Sequence, residues 1–384
     1  MPDRPVVAHI NKQYFARSET FMYFYLSHFR RVHPICLSWG PIVNTDLFPF
    51  PPSDCYAIGM KPYTWRWLWT GFWRKLIGQR ALGILRQREA RLIHAHYGPV
   101  GWWTLPLKRT LQISLVTNFY GYDMAPELPE EGPDWPRRRQ ELFNEGDLFL
   151  VEGPFMLRRL IDLGCPAEKV QIQRIAIKVR EMPFRPRKPK TGGKVVILFA
   201  GRFYEKKGLR YALQAVRDVW RSGWSIEFRI IGDGPLAPQV RAFVKEHGLQ
   251  SCVRLLGFLN YQDYLQEMQE ADIFLHPSVT AADGDSEGGA PTTILEAQAL
   301  GMPVVSTYHA DIPDVVVPGE SALLVSERDS EGLAQALIHL LAHPERWEDM
   351  GRAGREHVEM YHDVDREVSV LEEKYFALPD WSPG

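Results

Sequence analysis

The chain is poor in cysteine, in net charge and in long apolar runs, and each shortage removes a class of function. Its four cysteines, Cys36, Cys55, Cys165 and Cys252, lie far apart with no CxxC pair. That leaves no sequence signature of a zinc or redox centre and fits a reduced, cytoplasmic setting. A formal net charge of -2 over 384 residues gives no overall attraction to nucleic acid. Nowhere do ~18 uninterrupted apolar residues occur that would span a bilayer, and the opening MPDRPVVAHINK breaks its apolar run too soon for a signal peptide. No GxGxxG follows the first apolar strand and no acid stands ~20 residues beyond it, which argues against a nicotinamide oxidoreductase.

What is present is an ordinary soluble composition, 45% hydrophobic and 24% charged, in a chain long enough for two domains at ~150 residues each. Strands and helices alternate. Short apolar runs at Pro5–Ile10, Ile35–Ser38, Arg91–His94 and Ile113–Phe119 predict strands, and Ser18 is a plausible cap for a helix from Glu19. Two of these strands open into HAHYGPVG and TNFYGYD. In parallel sheets, ligands sit beyond the carboxyl ends of strands, so these loops are where an acceptor is expected. His94 and His96, two apart, share one face of a strand, but no Cys or third His stands near them in sequence to make a metal site.

Residues 61–91 have an unusual composition, with Trp65, Trp67, Trp69, Phe72 and Trp73 interleaved with cations. Lys61, Arg66, Arg74, Lys75, Arg80, Arg86, Arg88 and Arg91 stand against Glu89 alone. Three readings are open: contact with an anionic membrane surface, a helix packed on the core by its Trp face, and a surface for single-stranded nucleic acid. No nucleic-acid motif elsewhere supports the last. Further on, PFRPRKPKTGG at 183–193 has the composition of a semi-rigid linker. It predicts a first domain over 1–182 and a second over 194–364.

The second half carries denser signals. Strands are expected at Lys194–Ala200, Ser225–Ile231, Val253–Leu256, Ile273–His276, Val304–Ser306 and Ala322–Val325. Arg202 and Lys207 flank the turn between the first of these and a helix over Leu209–Trp220, where guanidinium and ammonium can both reach a diphosphate. The stretch DGDSEGGAPTTILEAQAL, Asp283 to Leu300, runs from an acidic glycine loop into a helix. That places Glu287 on the loop, Glu296 about a turn into the helix, and free backbone N–H groups at the helix start.

Together, GRFYEKKG (201–208), IGDGP (231–235), LLGFL (255–259), HPS (276–278), EGGAPTTILEA (287–297) and GMPVVS (301–306) resemble the donor half of retaining glycosyltransferase family 4. SETF (18–21), HAHYG (94–98) and NFYGYD (118–123) are similar to its branch that builds bacterial exopolysaccharides of the colanic acid type. The resemblance implies an α/β fold of the GT-B kind: two Rossmann-like, doubly wound domains facing across a cleft, with a C-terminal helix, about 365–384, packing back on the first domain. It implies an acceptor on the first domain, a nucleotide-diphosphate sugar on the second, and retention of anomeric configuration without cofactor or metal.

Position by position, the resemblance has Arg202 and Lys207 grip the diphosphate, Glu287 hold sugar hydroxyls and Glu296 bind the ribose. The backbone around Gly257 and Phe258 meets the base. Gly201, Gly232, Gly288, Gly289, Ala290, Pro291 and Thr292 line the donor, while His96, Tyr120 and Asp123 face the acceptor, a lipid-linked or growing glycan. Arg202, Lys207 and Glu287 form the catalytic set. An enzyme at the inner face of the plasma membrane is the expectation. Two departures matter. Glu287 and Glu296 enclose eight residues where the family has seven, and Tyr120 stands where the family most often has histidine. Both would also suit a catalytically silent nucleotide-sugar-binding partner of another transferase.

Overall fold

The computed structural model describes residues 4–16, 20–59, 71–125, 128, 131–189, 192–379 and 381, and within helix residues 71–75 the backbone alone. Contacts divide the chain into two units, Met1–Ala176 with Val364–Gly384, and Ile177–Asp363.

The first unit runs β1 (Val6–Asn11), α1 (Thr20–His28), β2 (His33–Ser38), β3 (Cys55–Ala57), α2 (Gly71–Gln87), β4 (Ala90–His96), α3 (Gly98–Leu111), β5 (Ser114–Asn118), α4 (Trp135–Glu145), β6 (Leu148–Val151), α5 (Pro154–Asp162) and β7 (Val170–Ile172). Its sheet is parallel throughout, ordered β3-β2-β1-β4-β5-β6-β7. The inner strands are buried along nearly their whole length, as expected for a parallel sheet covered on both faces. The strand order reverses between β1 and β4, so the carboxyl ends of these two strands open a ligand position.

The second unit runs β8 (Val195–Ala200), α6 (Leu209–Arg221), β9 (Ile226–Ile231), α7 (Ala237–Glu246), β10 (Val253–Gly257), α8 (Tyr261–Glu270), β11 (Ile273–His276), α9 (Thr292–Ala299), β12 (Val304–Thr307), α10 (Ile312–Val315), β13 (Ala322–Val325), α11 (Ser330–Ala342) and α12 (Trp347–Tyr361). The sheet, again parallel, is ordered β10-β9-β8-β11-β12-β13, and reverses between β8 and β11. Leu209, Leu213 and Val216 recur at helical spacing along α6 and are buried in the core cluster with β8, β9 and α11. Each such side chain contributes ~1.5–3 kcal/mol, and truncating Leu213 to Ala would cost ~2–5 kcal/mol.

The last helix, α13 (Val364–Phe376), belongs by contact to the first unit. Glu372 Oε1 accepts from the backbone N–H groups of Arg30, Arg31 and Val32 at 2.9, 2.6 and 3.1 Å. Those amides lie in the turn between α1 and β2, so one carboxylate fastens the helix to that turn.

The segment expected to be a linker is instead clamped to the second unit. Arg187 is buried, and its guanidinium donates to the carbonyls of Met268, Ala271 and Leu300 at 2.7, 2.6 and 2.9 Å. These carbonyls end α8 and α9, where helices leave acceptors unsatisfied. Proline and cation content point to a semi-rigid linker; one forked donor serving two helix ends ties it to the second unit.

Residues 61–70, with Trp65, Trp67 and Trp69, lie outside the described residues. In α2, Ile77, Ala81 and Leu85 are buried at a spacing of four, one face turned to the core, while Arg80 is exposed. Arg88, just past the helix, is committed to Asp54 at 2.7 Å. Core packing therefore accounts for one face of this helix and leaves Arg80 and Arg86 exposed outside it.

Candidate active site

In the second unit the site forms where the sheet order reverses. β8 leads into Gly201 and exposed Arg202, whose guanidinium stands 5.2 Å from the Tyr204 ring centre. β11 ends at His276 and leads into the loop 277–291. Lys207, at the head of α6, donates from Nζ to Glu287 Oε2 at 2.7 Å. Ser278 Oγ donates to Glu287 Oε1 at 2.9 Å, and His276 Nε2 lies 3.4 Å from the same oxygen. Burial would push Glu287 up, but Lys207, His276 and Lys206 outweigh it and hold the carboxyl well below its usual range. Burial holds His276 below its own usual value, against the Glu287 carboxylate, which raises it.

The loop is tied from the β8 side as well. Lys206 Nζ donates to Asp285 Oδ1 at 2.9 Å and to the Ser286 carbonyl at 3.0 Å. Gly288 has φ 76°, a left-handed conformation that glycine adopts without steric cost. Gly289, Ala290 and Pro291 are buried, and α9 begins at Thr292.

Glu296, four residues into α9, is 5% exposed and accepts from the Tyr264 hydroxyl. Burial pushes its carboxyl up to about 7, with Tyr264 opposing. Gly232 follows β9 with φ 129°, and a Cβ there would lie 1.9 Å from the Gly201 carbonyl oxygen, so only glycine fits this crossing. Gly257 accepts from the Gly232 N–H at 2.8 Å, and Phe258 beside it is 62% exposed.

The first unit gathers its residues at the other reversal, between β1 and β4. His96 Nδ1 and the Tyr120 hydroxyl are 2.7 Å apart, with the rings stacked. Asp123 is fully buried, and its two oxygens accept from the N–H groups of Tyr120 at 2.9 Å and Gly98 at 2.8 Å. It thereby clamps the loops after β4 and β5 together. Burial pushes Asp123 up to about 6 against those two hydrogen bonds.

The third histidine absent from the local sequence comes from the neighbouring strand. His9 of β1 pairs in register with His94, and His9 Nδ1 lies 3.2 Å from His96 Nε2. Ligand atoms of His9, His94 and His96 fall within 4.8 Å of one another, a group that spacing along one strand could not reveal. His94, however, meets Asn118 Oδ1 at 2.6 Å through Nε2 and the Tyr375 hydroxyl through Nδ1. Through the His9–His96 and His96–Tyr120 contacts the cluster also forms a hydrogen-bonded chain behind Tyr120. Burial holds all three below the usual histidine range, His94 at about 4. They line one cavity with Phe21, Met22 and Tyr120.

Residues 194–343 match the family model described as glycosyl transferases group 1. The second unit carries a group 1 glycosyltransferase domain. The amylovoran biosynthesis glycosyltransferase AmsK of Erwinia amylovora is 36% identical over 255 residues, 65% of this chain and 61% of AmsK. WcaL of Escherichia coli K12, assigned to colanic acid biosynthesis, is 36% identical over 254 residues, 65% of this chain and 61% of WcaL. The chain spans about three-fifths of the length of these relatives. Among solved structures, Anabaena Alr3699/HepE in complex with UDP superposes with a TM-score of 0.79 at 16% identity, covering 97% of this chain and all of that one. The fold is that of the GT-B glycosyltransferases.

Sequence reasoning missed Lys206, Tyr264, His309 and Glu327 in the second unit and His9 in the first. His276 and Ser278 were visible only as part of the HPS motif. His9 is discoverable once β1 and β4 are recognised as neighbours; nothing local marks His309.

Proposed function

We propose that the chain transfers a hexose from a nucleoside diphosphate sugar to a lipid-linked or growing glycan in surface polysaccharide synthesis, with retention of anomeric configuration. The observation that carries this reading is the largely buried Lys207–Glu287 pair at the sheet reversal of a group 1 domain. In this reading Arg202 and Lys207 bind the diphosphate and neutralise the charge that develops as it leaves, helped by the amino end of α9 and without a metal. Glu287, fixed as an anion, accepts from sugar hydroxyls, Glu296 accepts from the ribose, and the Gly257–Phe258 turn meets the base. The relatives AmsK and WcaL favour an exopolysaccharide acceptor, and HepE has been solved with UDP and glucose.

Tyr120 replaces a group that could exchange protons near neutrality with one that cannot, since a phenol titrates near ~10. We infer that it orients the acceptor by hydrogen bonding, backed by His96. In the same reading the exposed Arg80 and Arg86 of α2, with the cations and aromatic residues that precede them in sequence, meet an anionic membrane surface on the cytoplasmic side. Among the described residues no helix is long and apolar enough to cross a membrane.

A thermal-shift screen of UDP-, GDP-, ADP- and dTDP-sugars tests the reading. Stabilisation by one donor with slow release of its sugar is expected. Stabilisation without any turnover would instead mark a silent binding partner, and no stabilisation by any donor would overturn the assignment of the site.

A further inference from the structure

We propose that His309, held by Glu327, is the positioning residue that sets the Glu287 loop for sugar recognition; this rests on the reading of Glu287 as the sugar-binding carboxylate. His309 follows β12 and is 1% exposed. Its Nε2 lies 3.2 Å from the backbone nitrogen of Glu287, and its Nδ1 lies 2.6 Å from Glu327 Oε1. A backbone N–H can only donate, so Nε2 is the unprotonated nitrogen and Nδ1–H donates to Glu327. The ring is thus fixed in one tautomer, with one edge on the loop and the other on a carboxylate beyond β13.

Glu327 also accepts from the Thr280 N–H at 2.8 Å and from its hydroxyl at 3.2 Å. The same two residues therefore grip the loop near its start, at Thr280, and at its centre, at Glu287. The Glu287 carboxylate is already committed to Lys207, Ser278 and His276. Lys206 holds the chain just before it, at Asp285 and Ser286, and His309 holds the Glu287 backbone N–H itself. A positioned carboxylate binds hydroxyls only if the backbone beneath it does not shift, because displacement by about an ångström is enough to lose much of the effect. Among the described residues the side-chain bonds of His309 run to Glu287 and Glu327, and none joins it to Glu296, Gly257 or Arg202.

The two ring nitrogens can be replaced separately. In His309→Gln the side-chain oxygen reaches the place of Nε2 and still accepts from the Glu287 N–H, whereas in His309→Asn it reaches only the place of Nδ1. The expected result is that exchange of the amides over 283–291, followed by hydrogen–deuterium mass spectrometry, quickens about tenfold in His309→Ala and His309→Asn, the weight of one hydrogen bond, and returns toward wild type in His309→Gln. The thermal shift given by whichever UDP- or GDP-hexose stabilises the wild type should fall in the first two variants to that of UDP or GDP alone, while the shift from UDP or GDP stays unchanged.

Unaltered exchange in His309→Ala, or faster exchange with the hexose-specific shift intact, overturns the proposal. If His309→Ala does not fold, Glu327→Ala, which removes the brace from a partly exposed position, is read by the same two measurements. If no nucleotide sugar stabilises the wild type, the sugar-binding reading of Glu287 fails, and the exchange data alone still decide whether His309 holds the loop.

Discussion

Lys207 Nζ and Glu287 Oε2 lie 2.7 Å apart, joining residues 80 positions distant in sequence, and the Glu287 side chain is only 6% exposed. A buried pair of this kind is costly to break from one side, because the partner left behind is an uncompensated charge. Lys207→Met should destabilise the second unit by ~3–5 kcal/mol, and adding Glu287→Gln should recover much of that loss. Chemical denaturation of both single variants and the double variant checks this. A loss in Lys207→Met no larger than that of a surface lysine would contradict it.

Burial pushes the Glu296 carboxyl up to about 7 against the Tyr264 hydrogen bond. Its folded pKa lies above the unfolded value, so its contribution to stability is full below the ordinary glutamate pKa and is lost as pH rises through about 7. Glu296→Gln should therefore flatten the decline of stability over that window. Ligand binding should run the other way, since an ionised carboxylate accepts two hydroxyls better than a protonated one. Nucleotide affinity measured by calorimetry is expected to rise between pH 6 and 8, an interval centred on about 7, and to lose that dependence in Glu296→Gln.

The histidine cluster predicts the opposite slope for the first unit. Burial depresses His94 to about 4, below its unfolded value near 6.5. The stability it contributes is present above 6.5 and lost as pH falls toward 4, amounting to about 3 kcal/mol as an upper figure. His94→Gln should lose less stability than wild type over that fall. Acid unfolding followed by tryptophan fluorescence compares the two, and identical curves would contradict the assignment.

Much of the architecture was legible because each parallel strand is a compact apolar run. β11 and β13 fall where the sequence placed them, and β8 and β12 differ by a residue at one end. The edge strands β3 and β7 were not legible, each having three residues and partial burial, too short to show a period. At the candidate site, glycines, glutamates and cations near the turns stood out as chemistry. The tertiary partners did not, since His9, Tyr264, His309 and Glu327 reach the site only through strand order and loop packing. Arg187 shows the same limit from the other side: nothing in PFRPRKPKTGG signals that one of its cations caps two helices.

The exposed Arg80 on α2, with Arg74 and Lys75 one to two turns before it, should contribute to binding anionic vesicles, each cation being worth up to about 1 kcal/mol near such a surface. Replacing all three by Gln is expected to lower the fraction of protein that sediments with phosphatidylglycerol vesicles, most clearly at low salt. Equal sedimentation of variant and wild type would assign the helix wholly to the core.

The central claim, retaining transfer organised by Lys207 and Glu287, is tested most directly by proton NMR of the sugar as it leaves the stabilising donor. The account predicts that the first-formed product keeps the anomeric configuration of the donor, and that Lys207→Ala and Glu287→Ala abolish its formation. An inverted product, or a retained one formed at wild-type rate by either variant, would contradict it.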